Sequence, residues 1–394
     1  MLIPSMKQLI TTPRFPAQIL PIFLNHHRPI TQNPIPKMPT SSNCSLGTIS
    51  VSPSSSQSPR KPLFLRPPVY SSTVSNLRAF VEWAKTLASS VGSSFVKIDN
   101  GPDSELLIRE LRWLLEDLVD DLSVISCIDI VDEKGMDGVS RVIRLRESLD
   151  GLYELWKQRI DERRPFQYIV GCEHWRDLVL SVEEGVLIPR PESEKIVELV
   201  ENVVAECEML REGVWTDLGT GCGALAIGIA RSLGKNGRVI ATDLSPTAVS
   251  VARFNVERYG FEEVVEIREG SWFDPLLELE GKLAGLVSNP PYIPSGDIGG
   301  LQAEVGKHEP RLALDGGAEG LDSLLYLSKR AAKMLKPGGF FVFETNGEKQ
   351  CESLANYLEK EKENSFRDVN IVPDFADIPR FLTGFRNRSS MLLL

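Results

Sequence analysis

The feature that most limits the possible folds is a glycine-spaced turn, Asp217-Leu218-Gly219-Thr220-Gly221-Cys222-Gly223, between a short apolar run (214–218) and an apolar helix (224–233). Glycine at alternate positions lets the backbone take positive φ and approach a ligand closely. A strand, such a turn and a helix open a doubly wound sheet, whose ligands sit at the carboxyl ends of the strands. The downstream pattern continues it. Strands at 238–242, 264–268, 283–288 and 340–344 alternate with helices at 246–259 and 321–335, and segments 369–372 and 390–394 are candidates to complete the sheet. The fold class read here is α/β, with a mostly parallel sheet.

A glycine-rich turn can also grip a pyrophosphate. Two details point instead to S-adenosylmethionine. Asp217 sits at the strand end, where a carboxylate repels pyrophosphate and favours a cation, and the spacing Gly219-x-Gly221-x-Gly223 is not G-x-G-x-x-G. Asp243 ends the second strand, where its two oxygens can accept from both ribose hydroxyls. Its structural alternative is an N-cap or Asx-turn before Pro246. Trp272, after the third strand, is read as an adenine contact, with plain core packing as the alternative. The cofactor set is therefore Asp217, Gly219, Thr220, Gly221, Cys222, Gly223, Asp243 and Trp272, joined by Asn289 below.

Asn289-Pro290-Pro291-Tyr292 follows the fourth strand. An amide nitrogen is a poor nucleophile, because its lone pair is delocalised into the carbonyl. Two acceptors aimed at its N–H groups hold it and favour electron density on nitrogen. The Asn289 side chain supplies one acceptor and the Pro290 backbone carbonyl the other. Each proline fixes φ near −65° and disfavours the α region for the residue before it, so the loop is stiff and aligned in advance. Tyr292 offers a flat face to a planar group, and such faces also attract cations. Asn289, Pro290 and Tyr292 are the catalytic candidates, and with Pro291 they form the substrate site. The bland alternative is a proline-rich turn with a buried tyrosine.

The rest of the chain is less specific. The first acidic residue is Glu82, and seven basic residues precede Tyr70 in a stretch dense in Ser, Thr and Pro. That is the composition of an organellar transit peptide, with an addressless disordered tail as the alternative. Serine richness points to the chloroplast stroma, with the mitochondrion second. The reading is transit peptide and linker over 1–72, a helical domain over 73–160, a hairpin linker over 161–191 and the α/β domain over 192–394. Leu107, Leu111, Leu114, Leu115 and Leu118 recur at helical spacing behind Asp103, a candidate N-cap, and a second helix is expected over 142–159. Segment 178–182 alternates in a manner that suits a hairpin strand.

The chain carries 44 basic and 54 acidic residues; without the seven early basic ones the remainder is 37 against 54, a balance of −17. So acidic a body is poorly suited to phosphate backbones. The six cysteines include no C-x-x-C pair, which argues against structural zinc and a disulfide framework. No metal, no direct nucleic acid and no membrane span are expected.

These motifs, with Arg164-Pro165-Phe166-Gln167-Tyr168-Ile169-Val170-Gly171, Ile188-Pro189-Arg190-Pro191-Glu192-Ser193-Glu194, and Glu309-Pro310-Arg311-Leu312-Ala313-Leu314 with Gly316-Gly317, make the sequence resemble the PrmC/HemK family of release factor glutamine N5-methyltransferases over roughly residues 100–394. The two elements ahead of the glycine turn separate that family from nucleic-acid amino methyltransferases, which share N-P-P-Y. The resemblance implies a Rossmann-like, seven-stranded methyltransferase domain behind a helical domain that recognises a release factor. It implies methylation of the glutamine of a Gly-Gly-Gln loop in a bacterial-type class 1 release factor, here an organellar one; a monomer is expected. Ser193 stands where the family usually has Thr, and Cys222 where a small hydroxyl residue is common. The turn 344–347 is one residue longer, and Asp377-Ile378-Pro379-Arg380-Phe381 departs from the bacterial ending. Two other readings compete: an rRNA or DNA amino-group methyltransferase, and a non-catalytic assembly factor that keeps the fold.

Overall fold

The computed structural model describes residues 59–129, 141–361 and 365–388. The chain begins its described course on a three-residue 3-10 turn, Leu63–Leu65, followed by β1 (Tyr70–Thr73), α1 (Val74–Val91), α2 (Ser104–Leu118), β2 (Val142–Leu145) and α3 (Leu149–Asp161). Asp103 caps α2 as expected, its Oδ1 accepting from Leu106 N at 2.8 Å. Leu107, Leu111, Leu114 and Leu118 face a core shared with Leu77, Phe80 and Trp156.

Two expectations change here. The helix expected over 142–159 is a strand and a shorter helix. Val142 and Ile143 alternate outward and inward, β2 pairs antiparallel with β1, and Ser148 starts α3 by accepting from Gly151 N at 3.0 Å. β-branched residues favour a pleated surface, and the nearest serine resets the chain to helix. The boundary at 72 also moves. Leu63 lies fully inside the helical core and β1 holds the sheet partner of β2, so the segment read as linker packs from at least Leu63 onward. Residues 1–58 lie outside the described residues.

A hairpin, β3 (Cys172–Trp175) and β4 (Leu178–Ser181), follows a short helix at Phe166–Val170. It contributes to both cores. Phe166, Ile169 and Cys172 join the helical core, whereas Tyr168, Trp175, Leu178 and Leu180 join the core of the α/β part.

The α/β part runs α4 (Glu194–Glu206), β5 (Val214–Leu218), α5 (Ala224–Leu233), β6 (Arg238–Asp243), α6 (Pro246–Arg258), β7 (Val265–Glu269), β8 (Leu283–Ser288), α7 (Asp322–Met334), β9 (Leu335–Glu344), α8 (Glu348–Glu361), β10 (Phe366–Pro373) and β11 (Pro379–Arg386). The sheet has seven strands in the order β10-β11-β9-β8-β5-β6-β7. β9 to β7 are parallel, and β11 enters antiparallel between β9 and β10. The chain leaves β5 to one side for β6 and later returns to its other side as β8, so the order reverses at β5. Such a reversal opens a crevice at the strand carboxyl ends.

The expected strand at 369–372 lies within β10, but the last strand is β11. The other expected segment, 390–394, lies outside the described residues. Pro379 occupies the first position of β11, where a missing N–H is tolerated.

Candidate active site

The crevice holds a cavity of about 290 Å³ bordered by the glycine turn, Asp243, Trp272, Asn289 and Ser193. The turn keeps its shape through positive φ at Gly219 (75°), Gly221 (56°) and Gly223 (86°). A Cβ on Gly221 would meet nothing within 4 Å, and on Gly223 it would make ordinary contact with Ala252 at 3.4 Å. Gly221 thus bares backbone toward the cavity, while Gly223 is fixed as glycine by its positive φ. Asn255 anchors the turn from α6. Its Nδ2 donates to Cys222 O at 2.9 Å and to Ser181 O at 3.0 Å, and its Oδ1 accepts from Ser181 N.

Asp243 fits both readings made of it. Its Oδ1 accepts from Ser245 N at 2.9 Å, the Asx-turn geometry, and its Oδ2 accepts from Gly221 N at 2.8 Å. It borders the cavity, and each oxygen keeps a second lone pair for a hydroxyl donor. Burial holds this carboxyl above its ordinary range. Trp272 is likewise placed for both readings. Its ring would lie 3.4 Å from a Cβ on Gly219, it borders the cavity, and it packs against the core beneath β8.

Gly219, Thr220, Gly221, Cys222, Asp243, Trp272, Asn289 and Pro291 border the cavity, but Asp217, Gly223, Pro290 and Tyr292 do not. The expectation that Asp217 meets the ligand directly is corrected. It is fully buried, and its Oδ2 accepts the Thr220 hydroxyl at 2.6 Å, because the turn folds back over the strand end. Burial pushes its carboxyl up to about 7. It braces the turn. The Cys222 thiol is also buried and pushed up to about 12, so it stays uncharged at neutral pH.

The Asn289 loop is strapped on several sides. Ser288 Oγ donates to Leu218 O at 2.6 Å, joining β8 to β5. Gln350 Nε2 donates to Tyr292 O at 2.9 Å. Ile293 N donates to Leu314 O, and Gly316 N donates to Ile293 O, both at 2.9 Å. A Cβ on Gly316 would lie 2.8 Å from Pro291 O and Tyr292 Cα, so only glycine allows this contact. Pro290 is buried behind the loop, which removes its ring from the cavity wall. Tyr292 points its hydroxyl at Glu344 Oε1, 3.1 Å away, so the ring is tethered from behind.

Two residues outside the expected set complete the site. Asn289 Nδ2 donates to Ser193 Oγ at 3.0 Å, and Ser193 Oγ donates to Glu344 Oε2 at 2.6 Å. Glu344 was legible as an acid ending an apolar run. Ser193 carried no local signal beyond its place in the Ile188–Glu194 element. That element also meets the Glu309–Leu314 element, since Arg190 pairs with Glu309, which accepts from Ile188 N at 3.2 Å.

A methyltransferase-domain family model matches residues 212–372. The release factor glutamine methyltransferase of Synechocystis is 38% identical over 276 residues, covering 70% of this chain and 89% of that protein. This chain belongs to the release factor glutamine methyltransferase family. The relatives so named in Thermosynechococcus vestitus (41% identical, covering 61% of this chain and 80% of that protein) and Gloeobacter violaceus (39%, 64% and 88%) agree. Members of a methyltransferase family need room for S-adenosylmethionine, and the cavity meets that need. Gly221 leaves bare backbone, Asp243 has free lone pairs for ribose, and Trp272 offers a ring face. Among the described residues no cluster of His, Cys, Asp or Glu could hold a metal ion, and no helix is long and apolar enough to cross a membrane.

Proposed function

We propose that this methyltransferase methylates the side-chain nitrogen of the glutamine in a Gly-Gly-Gln loop of a class 1 release factor. The observation that carries the reading is the position of Asn289. It borders the cavity with its amide nitrogen committed to Ser193, which leaves its carbonyl oxygen as the end that can meet a substrate N–H. The bound cofactor supplies an electrophilic methyl group on a sulfonium. The protein's part is orientation: Asn289 Oδ1 accepts from the carboxamide NH2, and the strapped loop keeps that acceptor in place. No strong base is required, because the nitrogen becomes acidic as it gains the methyl group and its proton can pass to water.

The organellar setting belongs to the same proposal. It is supported by the basic, acid-free sequence ahead of Glu82, which favours a chloroplast over a mitochondrion. The enzyme is taken to act as a monomer. The acidic balance of the remaining chain favours a protein substrate over rRNA or DNA.

The test is transfer of labelled methyl from S-adenosylmethionine to purified organellar release factors and, in parallel, to rRNA. A mass gain of one methyl on the Gly-Gly-Gln peptide is expected. Label in RNA alone overturns the proposal, and cofactor binding without transfer to either substrate supports the assembly-factor reading.

A further inference from the structure

The hydrogen bonds behind Asn289 decide which end of its amide faces the cavity. Glu344 closes β9 and is buried. As a carboxylate it only accepts, taking the Ser193 hydroxyl on Oε2 and the Tyr292 hydroxyl on Oε1. A serine hydroxyl has one proton. Once that proton is directed at Glu344, Ser193 Oγ can only accept from its other neighbour, so the group facing it at 3.0 Å must be the Asn289 NH2. Without this constraint the two ends of the amide are nearly equal in shape, and a flipped Asn289 would oppose its own NH2 to the NH2 of a substrate carboxamide.

We propose that Ser193 and Glu344 are positioning residues that set the amide orientation of Asn289, with Glu344 holding Tyr292 at the same time. This rests on the reading that Asn289 receives a substrate N–H. Glu344 is faced by Ser193 and Glu192 from the turn ahead of α4, by Tyr292 from the loop after β8, and by Arg380 from β11, itself paired with Asp374 at 2.8 Å. Burial pushes the Glu344 carboxyl up to about 7. Below that pH the carboxyl gains a proton to donate and no longer compels the Ser193 hydroxyl, so turnover falls as pH drops.

The test compares Ser193→Ala, Ser193→Thr and Glu344→Gln. Ser193→Ala and Glu344→Gln should lower kcat by about tenfold or more, whereas Ser193→Thr keeps the hydroxyl and should stay within about threefold. Binding of S-adenosylhomocysteine, measured by calorimetry, should stay within about threefold in all three, since the glycine turn, Asp243 and Trp272 are left unaltered. The fall in kcat below about pH 7 should vanish in Glu344→Gln, where nothing titrates at that position. An unchanged kcat in Ser193→Ala, or the same acid limb in Glu344→Gln, overturns the proposal. If Glu344→Gln fails to fold, the Ala and Thr variants of Ser193 decide it alone. The ratios are measured on whichever substrate the unaltered chain methylates, so a failed release-factor assay and a failed relay are distinguishable.

Discussion

Asp217→Asn should make the cofactor-free protein more stable, and increasingly so as pH rises. The carboxyl is fully buried beneath the glycine turn, with Oδ2 accepting from Thr220 at 2.6 Å, and burial moves its titration from 3.8 to about 7. Below about pH 4 the group is protonated in folded and unfolded chains alike and costs nothing. Between about pH 4 and 7 the folded chain keeps a proton that the unfolded chain has released, so stability falls as pH rises. Above about 7 the loss is complete. A gap of about 3 units at about 1.36 kcal/mol each gives a ceiling of about 4 kcal/mol. Asparagine is neutral throughout and keeps an oxygen for Thr220; the weaker neutral hydrogen bond and an NH2 facing the Ala226 N–H together remove about 2–3 kcal/mol of the gain. Urea unfolding of both chains without cofactor, followed by tryptophan fluorescence at several pH values from 5 to 8, gives the difference directly. Comparing the two chains cancels the titration of every group that does not interact with Asp217; Asp243, which repels it, is the exception. A difference that stays flat across that range, or a variant less stable at pH 8, refutes the assignment of a buried, strained carboxylate at this position.

Asn289→Ala should bind S-adenosylhomocysteine nearly as the parent does in calorimetry, yet lose turnover by about a hundredfold or more, the scale for one aligned polar group. Turnover equal to the parent would remove Asn289 from the mechanism. Glu110→Ala should destabilise the protein by about 3–5 kcal/mol in urea, because it strips a bidentate partner from a buried cation. Glu110 holds Arg159 at 2.7 and 3.0 Å, and Arg159 and Arg163 both reach Glu304 on the segment following the Asn289 loop. A loss under about 1 kcal/mol would mean that Glu304 suffices for Arg159.

The α/β architecture was legible because its signals are local. Strand β8 and helix α5 fall at the expected residues, since apolar runs and a glycine turn report on neighbours in sequence. The misread positions depended on partners far along the chain. Residues 142–145 have an apolar pattern that either a helix or a strand can use, and pairing with β1 some seventy positions earlier made them a strand. No strand is expected from the sequence over 379–386, and pairing with β9 and β10 made it one.

The site divides in the same way. The order of glycine turn, Asp243 and Asn289-Pro290-Pro291-Tyr292 determined the chemistry, because stiff backbone and polar side chains at strand ends are written in consecutive residues. Which groups touch the cavity was decided only by folding: the turn closed over Asp217, and Tyr292 was drawn to Glu344. The orientation of Asn289 lay still further from view. It depends on a hydroxyl 96 positions away and a carboxylate 151 positions beyond that hydroxyl. A hydrogen bond extends only about 3 Å, so residues so distant in sequence act together only once the sheet has placed them side by side.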